Sequence, residues 1–244
     1  MARLNSFYLP TDEWPAQVGD TVILSGDEAR HMITVLRTES EQTVRLFDGK
    51  GQTGLFSVVE ATKKKATLSV LELEEQQRPA VGITLAIGWG KSKRRNYLFE
   101  KVVEMQGDGV VFWEAHRSQG HMPKSPKETW NDKCVQAAKQ CGNAYLPELA
   151  TVGTLDDLIA YSADFKNRFL AWESNEATHP LSPEILLDGN SLIVIGPEGG
   201  LENKEADRLI TNGFIPVTLG NSILRWETAA TYCLSLAFYA RQQA

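Results

Sequence analysis

From Val81 onward, short apolar runs alternate with amphipathic stretches, and this alternation limits the fold more than any other feature of the chain. "VGITLAIGW", "GVVFWEA", "NRFLAW", "SLIVI" and "IPVTL" are each short, apolar and bounded, as strands buried on both faces of a sheet are. Between them lie "RRNYLFEKVVEM", with Leu98, Val102 and Met105 on one side, and "KETWNDKCVQAAKQC", a helix that stops near Gly142. A helix-like pattern follows "GPEGG". Strands alternating with helices imply an α/β domain with a mostly parallel sheet. The last segment, "ETAATYCLSLAFYARQ", carries few charges. Ala229, Ala230, Tyr232, Cys233, Leu236, Ala237 and Phe238 cover most of its circumference. A helix of that kind is expected to pack into its domain, against a second subunit, or both.

The chain before this reads differently. "DTVILS", "TVRLF", "GLFSVVEA" and "ATLSVLELE" are closely spaced strand candidates, and "DGKGQT" carries an Asp-Gly hairpin signal. "DEARHMITVLR" places Ala29, Met32, Ile33 and Leu36 at helical spacing, with Asp27 as the expected N-cap. A turn is expected at Lys63–Lys65. The polar "EEQQRPA", closed by Pro79, reads as a linker, so a small β-barrel or sandwich over residues 1–76 is expected to precede an α/β domain over residues 77–244.

With 244 residues there is room for one large or two modest domains. Three cysteines, Cys134, Cys141 and Cys233, give an odd count and no CxxC, which fits a reducing cytoplasm. Met1 is followed by no basic-then-apolar segment, so no signal peptide is expected, and no apolar stretch approaches a membrane span. His116 and His121 are five apart while His31 and His179 stand alone, so no metal site is expected. No GxSxG nucleophile elbow occurs. The net charge of −6 argues weakly against nucleic acid, yet Lys91, Lys93, Arg94, Arg95 and Lys101 cluster, and Arg117, Lys124 and Lys127 add to them. Such a cluster is either a solvated face or a local phosphate-binding face.

Ligands of an open parallel sheet bind outside the carboxyl ends of its strands. "AWESNEA", "GPEGGL" and "LGNSILRWETA" leave such ends, and they form one site if their strands are neighbours. Glycines at 196, 199, 200 and 220 permit close backbone approach. "GPEGG" has the layout of a phosphate cradle, but it lacks a Lys and carries Glu198, which would repel phosphate. It is either an ordinary strand-to-helix turn or a wall for a neutral base or a cation. Arg225 and Glu227 are equally open between a helix-end ion pair and a functional pair.

"IGPEGGLENKE", "VTLGNSILRWETAA" and "AAKQCGNAYLPEL", together with "VLR" and "LFDG" upstream, resemble the bacterial small-subunit ribosomal RNA uridine N3-methyltransferases of the SPOUT class. The resemblance runs from about Leu4 to the C-terminus. "GPEGGL" is shared with other SPOUT enzymes, including ribose 2′-O-methyltransferases, whereas "LGNSILRWETA" is the discriminating block. The resemblance implies an N-terminal PUA-like β-barrel that helps bind RNA and a C-terminal SPOUT domain with a deep trefoil knot. It also implies a cytoplasmic homodimer, S-adenosylmethionine as donor, and uridine 1498 of 16S ribosomal RNA as target. By this resemblance Ala171, Trp172 and Glu173 form the first knot loop. Ile195, Gly196, Pro197, Gly199, Leu219, Gly220, Ser222, Ile223 and Leu224 complete the donor site.

A cation near the uracil carbonyls would stabilise the uridine anion, and Arg225 is the first candidate. Glu198 or Glu227 then accepts the N3 proton or orients Arg225, and the favoured part for Glu198 is binding or orienting. RNA contacts are expected from Arg30, Arg37, Lys91, Lys93, Arg94, Arg95 and Arg117. Lys139 and Asn143 stand where the family usually has an acid and an Arg, and Trp226 where Thr is common. "EMQGDGV" is longer than the family's usual turn. The competing readings are a ribose 2′-O-methyltransferase, which typically carries an "SLN" signature absent here, and a non-catalytic RNA-binding assembly factor.

Overall fold

The computed structural model describes residues 4–62, 64–78, 81–91, 94–174, 177 and 179–243. Lys63, Pro79 and Lys93, on which expectations above fall, lie outside them. The chain forms two compact units, Met1–Arg78 with Val135–Leu146, and Pro79–Cys134 with Pro147–Ala244.

In the first unit, strands β1 (Ser6–Tyr8), β2 (Thr21–Ser25), β3 (Thr43–Phe47), β4 (Gln52–Ala61) and β5 (Lys65–Glu75) form one sheet in the order β1-β3-β4-β5-β2. Only β1 and β3 run parallel. The Asp-Gly turn forms between β3 and β4. The Asp48 carboxylate accepts from the Lys50 and Gln52 amides at 2.7 and 2.9 Å, which holds the tip. Phe7, Leu46, Phe56 and Leu68 meet in a core with Met32.

The short helix after β2 differs from expectation. It begins at Gly26 (α1, Gly26–Arg30), so Ser25 is the N-cap and Asp27 lies inside the first turn. The strand stays extended through Ser25, which starts the helical ladder two residues early. Asp27 there still suits the helix dipole. The helix then widens into a π turn at His31–Val35, which buries Met32 and leaves Leu36 37% exposed.

Lys139 is held inside this unit. Its ammonium donates to both Glu28 carboxylate oxygens at 2.8 and 2.9 Å, lies 3.1 Å from His31 Nδ1, and sits over the Phe7 ring. The Asn143 side-chain oxygen accepts from the Tyr145 amide at 3.0 Å. Both departures from the family's usual residues are thus engaged in internal contacts.

The second unit is a seven-stranded sheet, every pair parallel. Its strands are β6 (Gly82–Gly88), β7 (Gly109–Trp113), β8 (Glu148–Val152), β9 (Asn167–Ala171), β10 (His179–Pro180), β11 (Asn190–Ile195) and β12 (Ile215–Thr218). Helices α2 (Arg95–Glu104), α3 (Glu128–Cys141), α4 (Leu155–Tyr161), α5 (Asn203–Thr211) and α6 (Trp226–Arg241) accompany them. The order is β10-β12-β9-β11-β6-β7-β8, and β6 and β7 are buried along their whole length. That burial explains why these strands read as continuous apolar runs rather than alternating ones.

Alternate residues still part to opposite faces. Ala86, Val111, Trp113, Leu192 and Val194 pack with Leu158 of α4 and Leu209 of α5. Phe112 points the other way, onto Phe99 of α2 and Trp130 of α3. Helix α3 ends where Gly142 takes a φ of +81°, the left-handed conformation that closes helices. Helix α6 packs on α2, β6 and β11. It buries Ala230, Cys233, Leu234 and Ala237 but leaves Tyr232 42% and Tyr239 56% exposed. The "EMQGDGV" turn is tied to its last residue, since Arg241 pairs with Asp108 at 3.2 Å and donates to the Val81 carbonyl at 2.7 Å. Among the described residues no helix is long and apolar enough to cross a membrane.

Candidate functional site

Strands β12, β9 and β11 are neighbours, so the loops leaving their carboxyl ends converge. They wall a cavity of about 800 Å³. Ala171, Trp172 and Glu173 come from the first loop. Ile195, Gly196, Pro197, Glu198 and Gly199 come from the second. Leu219, Gly220, Ser222, Ile223, Leu224 and Arg225 come from the third, with Glu227 at the start of α6. Every donor-site and catalytic residue expected from the sequence therefore stands on one wall or another of the same cavity. Ser174, Asn203, Thr218, Trp226 and Ala229 also line it, and sequence reasoning assigned none of them to a site.

Local chemistry shapes each loop. In the second, Gly200 N donates to the Pro197 carbonyl at 2.8 Å, closing a tight turn. Helix α5 starts only at Asn203, behind a capping box in which the Glu202 and Glu205 carboxylates each accept a backbone amide of the first turn. The other oxygen of Glu205 accepts from the His116 amide at 2.8 Å. Two backbone donors of this helix N-terminus are thus met by the protein's own carboxylates, which disfavours a phosphate there. In the third loop, Thr218 Oγ1 and Gly220 exchange hydrogen bonds of 3.0 and 3.2 Å, and Gly220 adopts a φ of +115° that other residues rarely reach.

The charged side chains divide into distinct states. Glu227 is buried, with its carboxylate ion-paired to Arg94, whose side chain is 53% exposed. Arg225 is exposed on the cavity wall, and among the described residues its guanidinium has no ion-pair partner. Arg117 is exposed and donates to the Gly199 carbonyl at 3.1 Å. Glu198 folds back over Gly90: a Cβ added there would lie 1.8 Å from its Oε2. Arg95 stands nearby on the Trp89 ring. Burial pulls the Arg95 guanidinium below its ordinary value, and the charge of Glu198 opposes that shift.

Of the expected RNA contacts, Arg94 and Arg117 line the cavity, and Arg95 lies beside Glu198. Arg30, Arg37 and Lys91 are exposed. Among the described residues no group of His, Cys, Asp and Glu is placed to hold a metal ion.

A cavity beyond the carboxyl ends of adjacent parallel strands, walled by peptide groups, carboxylates and the guanidinium groups of Arg94, Arg117 and Arg225, has the position of a ligand site in an open α/β domain. Residues 76–238 match the RNA methyltransferase domain model and residues 24–71 the RNA methyltransferase PUA domain model, and the chain belongs to this RNA methyltransferase family. It is 24% identical to the ribosomal RNA small subunit methyltransferase E of Bacillus subtilis, over 97% of this chain and 96% of that one. A solved methyltransferase E from Neisseria gonorrhoeae, bound to S-adenosyl methionine, is 26% identical with a TM-score of 0.81 and covers 96% of each chain. A probable rRNA-methyltransferase from Porphyromonas gingivalis is 30% identical with a TM-score of 0.84, covering 98% of this chain and 99% of that one. The fold is that of the SPOUT methyltransferases with an N-terminal PUA domain.

Proposed function

We propose that the chain transfers a methyl group from S-adenosylmethionine to N3 of a uridine in small-subunit ribosomal RNA, the decoding-region uridine its sequence blocks point to. The observation that carries this reading is the cavity itself. It joins the three loops and sets an exposed Arg225 beside the buried, ion-paired Glu227. The cavity fits the donor. Gly196 has little room for a side chain in its wall, since an added Cβ would sit 3.1 Å from Leu201 Cγ. Trp172, Leu219 and Ile223 offer apolar surface to a base, and Glu173 and Glu198 favour a positive charge.

S-adenosylmethionine, when bound, supplies an electrophilic methyl group on positively charged sulfur. The protein's part is to bring N3 into line with that methyl and to manage the N3 proton. Glu227, which lines the cavity and is ion-paired to Arg94, accepts the proton. Arg225 stabilises the charge left on the uracil carbonyls. Glu198, turned onto Gly90 and Arg95, acts as an orienting group.

Residues 1–76, with Arg30 and Arg37, serve RNA binding in this reading, and residues 77–244 carry the chemistry. The path of the chain supports a trefoil knot: after β12, beyond β9, it returns to pack α6 on β11 and β6. The exposed tyrosines of α6 support a homodimer. A ribosomal RNA substrate supports a cytoplasmic location.

Nucleoside analysis of small-subunit RNA from cells lacking the protein tests the proposal. 3-Methyluridine is expected to vanish and to return with the wild-type gene. Loss of a ribose 2′-O-methylated nucleoside instead would replace it, and an unchanged profile would leave a non-catalytic assembly factor.

A further inference from the structure

Beside the cavity lies an aromatic arrangement that the donor loops do not use. Trp130 of α3 and Trp89, just past β6, have ring centroids 6.1 Å apart with 31° between their planes. Phe112 abuts Trp89 edge-on at 5.5 Å. The Arg95 guanidinium lies over Trp89, 4.2 Å from the ring centroid, and its Nη1 donates to the Gly90 carbonyl at 2.5 Å. Trp89 and Trp130 are buried and Arg95 is half-buried, so the guanidinium is the solvent-side end of the stack. Glu198, which lines the cavity, has its carboxylate over Gly90 and its charge on Arg95, so the stack ends at the cavity rim.

A guanidinium placed like this is poorly suited to a phosphate. Its charge is already opposed by Glu198, and one N–H is committed to Gly90. What remains on offer is a flat, fixed face. Unpaired RNA bases stack on aromatic rings and on guanidinium planes.

We infer that Arg95 is a stacking platform for a nucleobase of the RNA substrate, one flanking the nucleotide that enters the cavity. The inference rests on the function proposed above only for its substrate class, and it assigns Arg95 to base recognition rather than to the backbone contact its charge suggests.

The test compares wild type with Arg95→Lys and Arg95→Ala. Direct binding to small-subunit ribosomal RNA is measured across salt concentrations, donor affinity by calorimetry, and kcat and KM separately. Both variants are expected to lose roughly 5- to 100-fold in RNA affinity. Donor affinity and kcat at saturating RNA should stay within about twofold, and Arg95→Lys should keep the wild-type salt dependence. If Arg95→Lys binds RNA like wild type while Arg95→Ala loses about one unit of salt slope, Arg95 is a phosphate contact and the inference falls. It falls equally if kcat drops with RNA affinity unchanged, because Arg95 then acts through Glu198. Thermal unfolding checks both folds, and Arg95→Lys alone decides if Arg95→Ala does not fold. Absence of 3-methyluridine from the wild-type product would overturn the proposed function, while RNA binding would still be read directly.

Discussion

Arg225 and Arg94 line the same cavity in opposite states. Arg94 is matched to Glu227, so its charge is balanced before any ligand arrives. Arg225 is exposed and carries its charge to the cavity unbalanced by any described carboxylate. Arg225→Ala is therefore expected to lower kcat by about 100-fold or more with little change in melting temperature, measured by single-turnover methyl transfer. A variant of undiminished rate would remove Arg225 from the chemistry. Arg225 and Glu227 were legible as candidates from "LRWETA", but their states were not. Glu227 is buried because it opens α6, and its partner lies far away in sequence at the end of the β6 loop. The partnership of Glu198 with Arg95 across Gly90 was equally hidden, since the tight spot at Gly90 exists only once β6 and β11 are paired.

Elements were readable to the degree that local pattern decides them. The buried parallel strands β6, β7, β9, β11 and β12 appeared as apolar runs because both their faces are covered. Strand β8 passed unremarked. It is the outermost strand on its side of the sheet, and its residues are only partly buried, so no apolar run marks it. The start of α5 was also misplaced in emphasis: "GPEGG" drew attention, but "ENKE" sets the helix start through its capping box.

Helix α6 showed a nearly continuous apolar circumference, and the fold covers only one face of it. Tyr232 and Tyr239 lie on the uncovered side, which the homodimer proposed above would cover. Tyr239→Glu is expected to shift the protein from dimer to monomer in sedimentation velocity. A wild type that sediments as a monomer at micromolar concentration would argue against this assignment.

At the scale of the whole molecule, burial gives stability a pH dependence. Cys134 and Cys233 are pushed up from an ordinary 9.0 to about 12 by burial. Tyr161 goes from 10.0 to about 12, through burial first and then the charges of Glu148 and Asp164. Groups raised in this way keep their protons in the folded state after the unfolded chain has released them. Stability is therefore full below about pH 9 and declines as the pH rises toward 12. The melting temperature should fall by roughly several degrees between pH 8 and 10.5 in scanning calorimetry. Iodoacetamide on the native protein near neutral pH should modify Cys141, the exposed cysteine, and all three cysteines only after unfolding.

The helix running from Glu128 to Cys141 has a consequence for synthesis. Its second half and the turn after it, Val135–Leu146, belong to the amino-terminal unit, although more than fifty residues separate them from the end of β5. Lys139 closes the charge on Glu28, and the Ala144 carbonyl and the Tyr145 hydroxyl take up the Gly51 amide and the Gln76 carbonyl. The sheet strands that leave the ribosome first must wait for residue 146 before their unit is complete. No single break in the gene yields both units intact.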